Sequence, residues 1–258
     1  MNKSQALCAV VFLYKYVLRA EIGDLSFLWS NRPKRLPEVF SREEAWAVLD
    51  RLEGDGWLWG ALMYGCGLRL FEVCQLRVKD ISIDRRILTV RAGKGDKDRV
   101  LPLPEMLVQP LEKHLRRLNS TWECFAARRV PVSLPGALDR KYPHAPFEWG
   151  WFWIFPASAP ARDPKWNGRL HHVHDTAVQK RIRRAIRAAI IQRPASCHTF
   201  RHSFATHWLE NAEGSHEIAI KRLQELMGHK DVRTTMLYLH LMSKRASVAS
   251  PLDTRMAS

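Results

Sequence analysis

The sequence predicts a mainly α-helical chain with one small antiparallel β-sheet, an α+β fold. Three observations predict it. Apolar residues recur at helical spacing, as at Val178, Ile182, Ala185, Ile186 and Ala189. Helix starts are marked, most clearly by Ser41-Arg-Glu-Glu44, whose serine and glutamate suit a reciprocal capping box. One pair of β-type runs, residues 87–91 and 99–103, flanks the turn segment Gly93-Lys-Gly-Asp-Lys97.

In chain order, Leu7, Val10, Val11, Tyr14 and Leu18 form a helical stripe ending near Ala20. The apolar stretch after Lys3 imitates a signal peptide, but Lys15 and Arg19 interrupt it and no small-residue cleavage site follows. Residues 29–37 hold two prolines and three basic residues and read as a linker. A helix then runs from the capping box to Leu52, another reaches Gly65, and a fresh one follows Gly67. After the hairpin, helices dominate except in a Pro- and Trp-rich irregular section, residues 131–166. Asp231 is placed to cap a helix over residues 232–238.

The 258 residues, 46% hydrophobic, suffice for one large domain or two small ones. Lys+Arg of 41 against Asp+Glu of 26 leaves a net charge of +15, which points to a polyanionic partner: DNA, RNA or an anionic membrane. The charge is clustered. Lys180, Arg181, Arg183, Arg184 and Arg187 oppose the apolar face of the helix around Ile182. That face is small and aliphatic without aromatic anchors, which favours docking on a protein core with phosphate contacts outside over a membrane surface. Five scattered cysteines without a C-x-x-C pair read as reduced thiols of a cytoplasmic protein. No run is long enough to span a bilayer.

The chemistry-bearing residues sit mostly late in the chain. His198-Thr-Phe-Arg201 is followed by Gly228-His229 and then Tyr238, with Arg69 and Lys94 upstream. Arginine donates in a fork to two phosphate oxygens, which lysine does not copy. Arg69, after Gly65-Cys-Gly-Leu, stands at a helix start with Glu72 one turn on; taken alone, this is an ordinary surface i,i+3 pair. His198 and His202 stand at i,i+4, but H-E-x-x-H is absent and no metal is expected. Tyr238 alone reads as a packing residue. As a nucleophile, a phenol titrating near pH ~10 needs a cationic site or a nearby base, which His198 could provide. Lys94, or its neighbour Lys97, suits protonation of a leaving oxygen, or is simply a solvated turn lysine.

In this order, Arg69, Lys94, His198, Arg201, His229 and Tyr238 resemble the tyrosine recombinase family. The resemblance implies a catalytic domain of that family over residues 38–258. Before it come a linker at 31–37 and, over 1–30, a remnant of the helical core-binding domain. It implies that Arg69 and Arg201 stabilise a pentavalent phosphorane, that His198 is a general acid/base and Lys94 a general acid, that His229 binds the scissile phosphate, and that Glu72 supports the site. Tyr238 would form a 3′-phosphotyrosine bond, needing no cofactor.

A narrower likeness lies in the middle of the chain. Ala137-Leu-Asp-Arg-Lys-Tyr-Pro143, Trp149-Gly-Trp-Phe-Trp153, Arg169-Leu-His-His172 and the late Ser250-Pro-Leu-Asp253 are similar to integron integrases, whose insertion would occupy about 135–175. This implies integration and excision of gene cassettes, and binding of folded single-stranded and duplex DNA sites by a monomer that forms a tetramer on DNA. Extrahelical bases would stack on aromatic residues. The implied DNA contacts are Lys97, Arg140, Lys141, Trp149, Trp151, Arg169, His171, His172, Lys180, Arg181 and Arg184. Three departures from the family accompany the likeness. The chain starts near the last helix of the core-binding domain, the segment between Thr206 and Gly228 is longer, and Phe71 replaces a small polar residue. The alternatives are a DNA-binding remnant without recombination, a generic phage or Xer-type recombinase, and a nicking-closing topoisomerase. Strand exchange between two sites separates a recombinase from the topoisomerase, and DNA binding paired with a cleavage assay exposes the remnant.

Overall fold

A computed structural model describes residues 3–20, 37–91, 98–136, 138–161 and 168–245. The chain divides into two compact units, Met1–Arg35 and Leu36–Ser258. In the first, helix α1 (Lys3–Phe12) continues as a π-helical stretch, Leu13–Leu18, and ends at Arg19 in the left-handed region (φ 51°). Most of the expected linker lies outside the described residues.

The second unit opens with α2 (Arg42–Leu49). Its capping box forms as expected: the Glu44 amide donates to Ser41 Oγ (3.1 Å) and the Ser41 amide to the Glu44 carboxylate (2.7 Å). The helix stops at Leu49 instead of Leu52. There Arg51 and Leu52 tighten into i→i−3 bonds, and Gly54 turns the chain with φ 54°. Helix α3 (Asp55–Gly65) is the central helix, with Leu58, Trp59, Ala61, Leu62 and Met63 all buried. A short α4 (Leu70–Cys74) follows.

Strands β1 (Ile81–Ser82), β2 (Ile87–Val90) and β3 (Arg99–Pro102) form an antiparallel sheet in the order β1-β2-β3. The expected hairpin is β2–β3, paired Leu88↔Leu101 and Val90↔Arg99. Strand β1 was not foreseen, being too short to carry an alternation signal. Leu88, Val90 and Leu101 point inward to the main core.

Helices α5 (Glu105–Ala127) and α6 (Leu138–Lys141) lead into the irregular section, which is tied by isolated bridges Arg77↔Trp153, Val132↔Leu170 and Pro156↔His172. Helix α7 (Asp175–Ala188) buries Val178, Ile182, Ala185 and Ile186, the apolar face read from sequence. Helices α8 (Cys197–Glu210), α9 (His216–Met227) and α10 (Val232–Arg245) complete the unit.

Three apolar clusters hold these elements. The main one joins α2–α4, the sheet, α5, α7 and the start of α8. A second, smaller one joins α8, α9 and α10 through Ala205, Leu209, Leu223, Met227 and Tyr238. The third lies under the irregular section, around Leu118, Phe152, Trp153 and Leu170. Each buried large side chain contributes roughly 1.5–3 kcal/mol. The long segment after Thr206 is absorbed by the end of α8, a short loop anchored by the Arg42–Asn211 bond (3.0 Å), and α9 capped by Ser215. Among the described residues, no helix is long and apolar enough to cross a membrane.

Candidate active site

Arg69 is the residue before α4, and its geometry follows from the turn that delivers it. Gly67 has φ +64°, and a Cβ there would come within 2.4 Å of the Phe204 ring. The Arg69 amide donates to Glu72 Oε2 (2.8 Å) and its guanidinium to Glu72 Oε1 (2.7 Å). Glu72 also receives a fork from Arg99 at 3.0 and 2.6 Å. Burial by itself would raise the Glu72 carboxyl. The Arg99 hydrogen bonds and charge, with the Arg69 amide and Arg201, outweigh it and bring it down to about 2.

Helix α8 presents Arg201, which is almost fully buried. Its guanidinium donates to the carbonyls of Gly67 and Met227 and to His229 Nε2 (3.3 Å). Burial, with Arg69 close by, lowers it to about 9 despite Glu72. Arg99 Nε donates to Leu226 O (3.0 Å) and Arg69 to Gly228 O (3.3 Å). Three arginines from three elements thus grip the three successive carbonyls that end α9. Those carbonyls lack intrahelical partners and carry the negative end of the helix dipole.

Gly228 closes α9 in the left-handed region (φ +59°), and the chain turns to His229. Arginine only donates, so His229 Nε2 is the acceptor. The proton then sits on Nδ1, which meets the buried Thr235 hydroxyl at 2.9 Å. Burial, with Arg201 and Arg69 nearby, holds this imidazole down to about 3. Asp231 caps α10 through the Arg233 amide (2.9 Å), as the sequence predicts. Nearly two turns into α10 stands Tyr238, 3% exposed, stacked beside His229 and bonded through its hydroxyl to His202 Nδ1 at 2.7 Å. Burial raises the phenol, and Arg201 and Arg69 oppose that rise.

Arg69, Glu72, Arg201, His229 and Tyr238 therefore converge. His198 lies on the exposed side of α8 beside Arg201 and Arg69, and burial of part of its ring and those two charges lower it. The hydrogen-bond partner of the Tyr238 hydroxyl is His202, where the sequence had offered His198 as the base. Lys94 and Lys97 lie outside the described residues. Sequence reasoning passed over three contributors: Arg99, His202 and Thr235. Only His202 carries a signal, its i,i+4 spacing from His198, a spacing that equally suits a metal pair. Among the described residues, no cluster of three His, Cys, Asp or Glu side chains is arranged to hold a metal ion.

A cleft of about 700 Å³ extends from Arg69 and Glu72, past Arg77, Lys79 and Arg91, to Trp151, Trp153, His171 and His172. Arg77 lies over the Trp153 ring (3.6 Å) and Lys79 over Trp151 (2.8 Å). Trp151 lines this cleft, whereas Trp149 packs against Trp122 and Phe152. His171 bonds Ser133 Oγ (3.1 Å), and His172 bonds the Val173 carbonyl (2.7 Å). Arg140 and Lys141 are exposed on α6, while Arg169 is paired with Asp139 at 2.9 Å. Lys180, Arg181 and Arg184 are exposed on α7, with Arg181 reaching Glu53 O (3.1 Å).

Residues 58–245 match the model of the phage integrase family. An integrase/recombinase of Escherichia coli is 43% identical over 254 residues, covering 96% of this chain and 74% of the relative. Tyrosine recombinase XerA of Pyrococcus furiosus is 30% identical over 220 residues, covering 84% of this chain; the match spans 62% of that relative. Among solved structures, XerA recombinase aligns with a TM-score of 0.56 at 24% identity over 95% of this chain and 76% of that one. XerH site-specific recombinase bound to palindromic difH substrate, a post-cleavage complex, aligns with a TM-score of 0.60 at 20% identity over 93% and 63%. At these identities the structural likeness is one of fold.

Proposed function

The chain belongs to the phage integrase family of tyrosine site-specific recombinases, and on that premise we propose that it is an integron-type integrase, cutting and rejoining DNA to move gene cassettes. The observation that carries the chemistry is the convergence of Arg69, Arg201 and His229 on Tyr238. A phosphodiester placed among them meets two guanidiniums able to neutralise the charge that builds on its nonbridging oxygens. A phosphate oxygen arriving at His229 favours a proton on Nε2, so the ring becomes a donor to it. Tyr238 gives its phenolic proton to a neighbouring histidine as its oxygen forms the new O–P bond, the P–O5′ bond breaks, and the 5′-oxygen leaves with a proton that Lys94 supplies. The 3′-phosphotyrosine conserves the energy of the broken bond, so rejoining needs no external energy source.

The cassette reading rests on the segment around residues 135–175. Trp151, His171 and His172 border the cleft that begins at Arg69, and Lys79 and Arg77 supply positive charge along it. An unpaired base of a folded strand fits such a cleft by stacking while its phosphates meet the cations. Lys180 and Arg184, with Arg140 and Lys141, extend the basic surface for duplex phosphates. The domain plan goes with this reading: residues 38–258 catalytic, 31–37 a linker, and 1–30 the end of a helical core-binding domain. So do tetramer assembly on DNA and a cytoplasmic location.

The test is cleavage of a nicked hairpin oligonucleotide of cassette type beside its duplex counterpart. A protease-sensitive covalent adduct, formed preferentially on the hairpin and reduced on the order of 10⁴-fold or more in Tyr238→Phe, supports the reading. Equal cleavage of both substrates removes the cassette assignment, and an adduct that survives Tyr238→Phe removes the chemistry.

A further inference from the structure

We propose that His202 is a catalytic residue that takes the phenolic proton of Tyr238 during cleavage and returns it during rejoining. This rests on the recombinase reading above. Of the site histidines, His202 is the one bonded to the reacting oxygen, with Nδ1 at 2.7 Å from the Tyr238 hydroxyl. General-base transfer needs a heavy-atom separation of about 2.6–3.2 Å, which this satisfies without rearrangement. His229 does not share this duty, because it meets Tyr238 by ring stacking while its Nδ1 faces Thr235 and its Nε2 faces Arg201 or the incoming phosphate.

The surroundings set the protonation state. The charged and titratable groups about His202 are His198 and Arg201 on its own helix, His229 on the turn before α10, Tyr238 on α10, and Arg69 beyond the phenol. Burial comes first, and His198 and Arg201 on α8 add to it, holding this imidazole down to about 4, so it is neutral at neutral pH. A neutral ring has one acceptor nitrogen. In this assignment it is Nδ1, with the proton on Nε2.

The step balances without a co-reactant. The Tyr238 O–H proton moves to His202 Nδ1, the tyrosyl oxygen bonds to phosphorus, and the P–O5′ bond breaks. The leaving 5′-oxygen takes its own proton from a separate acid. Burying a positive imidazolium is acceptable at that moment because the phosphorane brings negative charge into the same site. In rejoining, the 5′-hydroxyl attacks, the tyrosyl oxygen leaves, and His202 gives the proton back.

Two measurements test this. Nitrogen-15 NMR of the free 258-residue chain should show His202 as the Nε2–H tautomer with Nδ1 accepting, and the Nδ1 resonance should move in Tyr238→Phe. An Nδ1–H tautomer overturns the proposal whatever cleavage shows. In single-turnover cleavage of the nicked hairpin, His202→Gln should slow adduct formation about 100-fold or more with hairpin binding retained. Replacing Tyr238 by trifluorotyrosine, whose phenol ionises more readily, should restore at least about tenfold in His202→Gln while changing the parent little. A loss that trifluorotyrosine does not relieve makes His202 a packing residue. An adduct that persists in Tyr238→Phe defeats the recombinase chemistry instead, so the two failures are told apart.

Discussion

The two halves of the candidate active site are held together in different ways. The arginine half consists of Arg69, Glu72, Arg99 and Arg201. It sits where the main core meets the end of α9, and its parts are tied by forked ion pairs and by carbonyls of the backbone itself. The histidine–tyrosine half consists of His202, His229, Thr235 and Tyr238. It rides on the smaller cluster of α8, α9 and α10 and is joined by single hydrogen bonds and ring stacking. The difference separates duties. The permanent charges are clamped from several sides, which suits the phosphate binding proposed for them, while the rings proposed to pass protons are held one bond at a time. The end of α9 connects the halves, because the arginines grip its last carbonyls and His229 follows directly.

The contrast can be broken at the clamp first. Arg99→Met leaves Glu72 short of its fork inside a mostly buried site, where removing one partner of such a pair costs about 3–5 kcal/mol. The shift in urea midpoint measures it. Arg99→Lys should recover only part, since a point charge does not reproduce the fork. Gly67→Ala is next. It strains a left-handed position and drives a methyl into Phe204, costing about 1–3 kcal/mol, and it also displaces the carbonyl that Arg201 binds.

Acid sharpens the comparison, because the halves lose stability in different windows. His202 and His229 have folded values of about 4 and about 3 against the usual 6.5. Below pH 6.5 the unfolded chain binds protons that the folded one refuses, so their effect on stability sets in at 6.5 and is complete near 4 and 3. Glu72, lowered to about 2 from 4.5, contributes stability that is present above 4.5 and lost as pH falls through 2. Urea midpoints across pH should therefore decline first through the histidines, and His229→Asn should make that upper segment shallower, leaving the part due to His202. The smallest effect is at Thr235→Val, which keeps shape and removes one bond to His229. The expected cost is about 1 kcal/mol, read as a fall in thermal midpoint.

How much of this was legible in the sequence differs along the same divide. The helix of the Ser41–Glu44 box, the β2–β3 hairpin, the apolar face of α7 and the Asp231 cap were readable because each depends on residues within a turn or two. Arg69, Glu72, Arg201, His229 and Tyr238 were readable as a set through family likeness, and the structure does bring them together. Arg99 was not, because its partners are Glu72 and Leu226, distant in the chain and invisible to local pattern. Trp149 and Trp151 look alike in sequence, yet one packs on Phe152 and the other lines the cleft. Only the path of the irregular section separates them.

The sequence by itself determined the helical elements, their apolar faces, the excess of positive charge and the inventory of reactive groups, since propensity, periodicity and residue chemistry are local properties. Tertiary structure decided which histidine touches Tyr238, which arginine holds Glu72, and that three guanidiniums converge on the end of one helix. Those outcomes depend on packing between α3, the sheet and the α8–α10 cluster. Hydrogen bonds of under about 3 Å between residues far apart in the chain exist only once that packing fixes both ends.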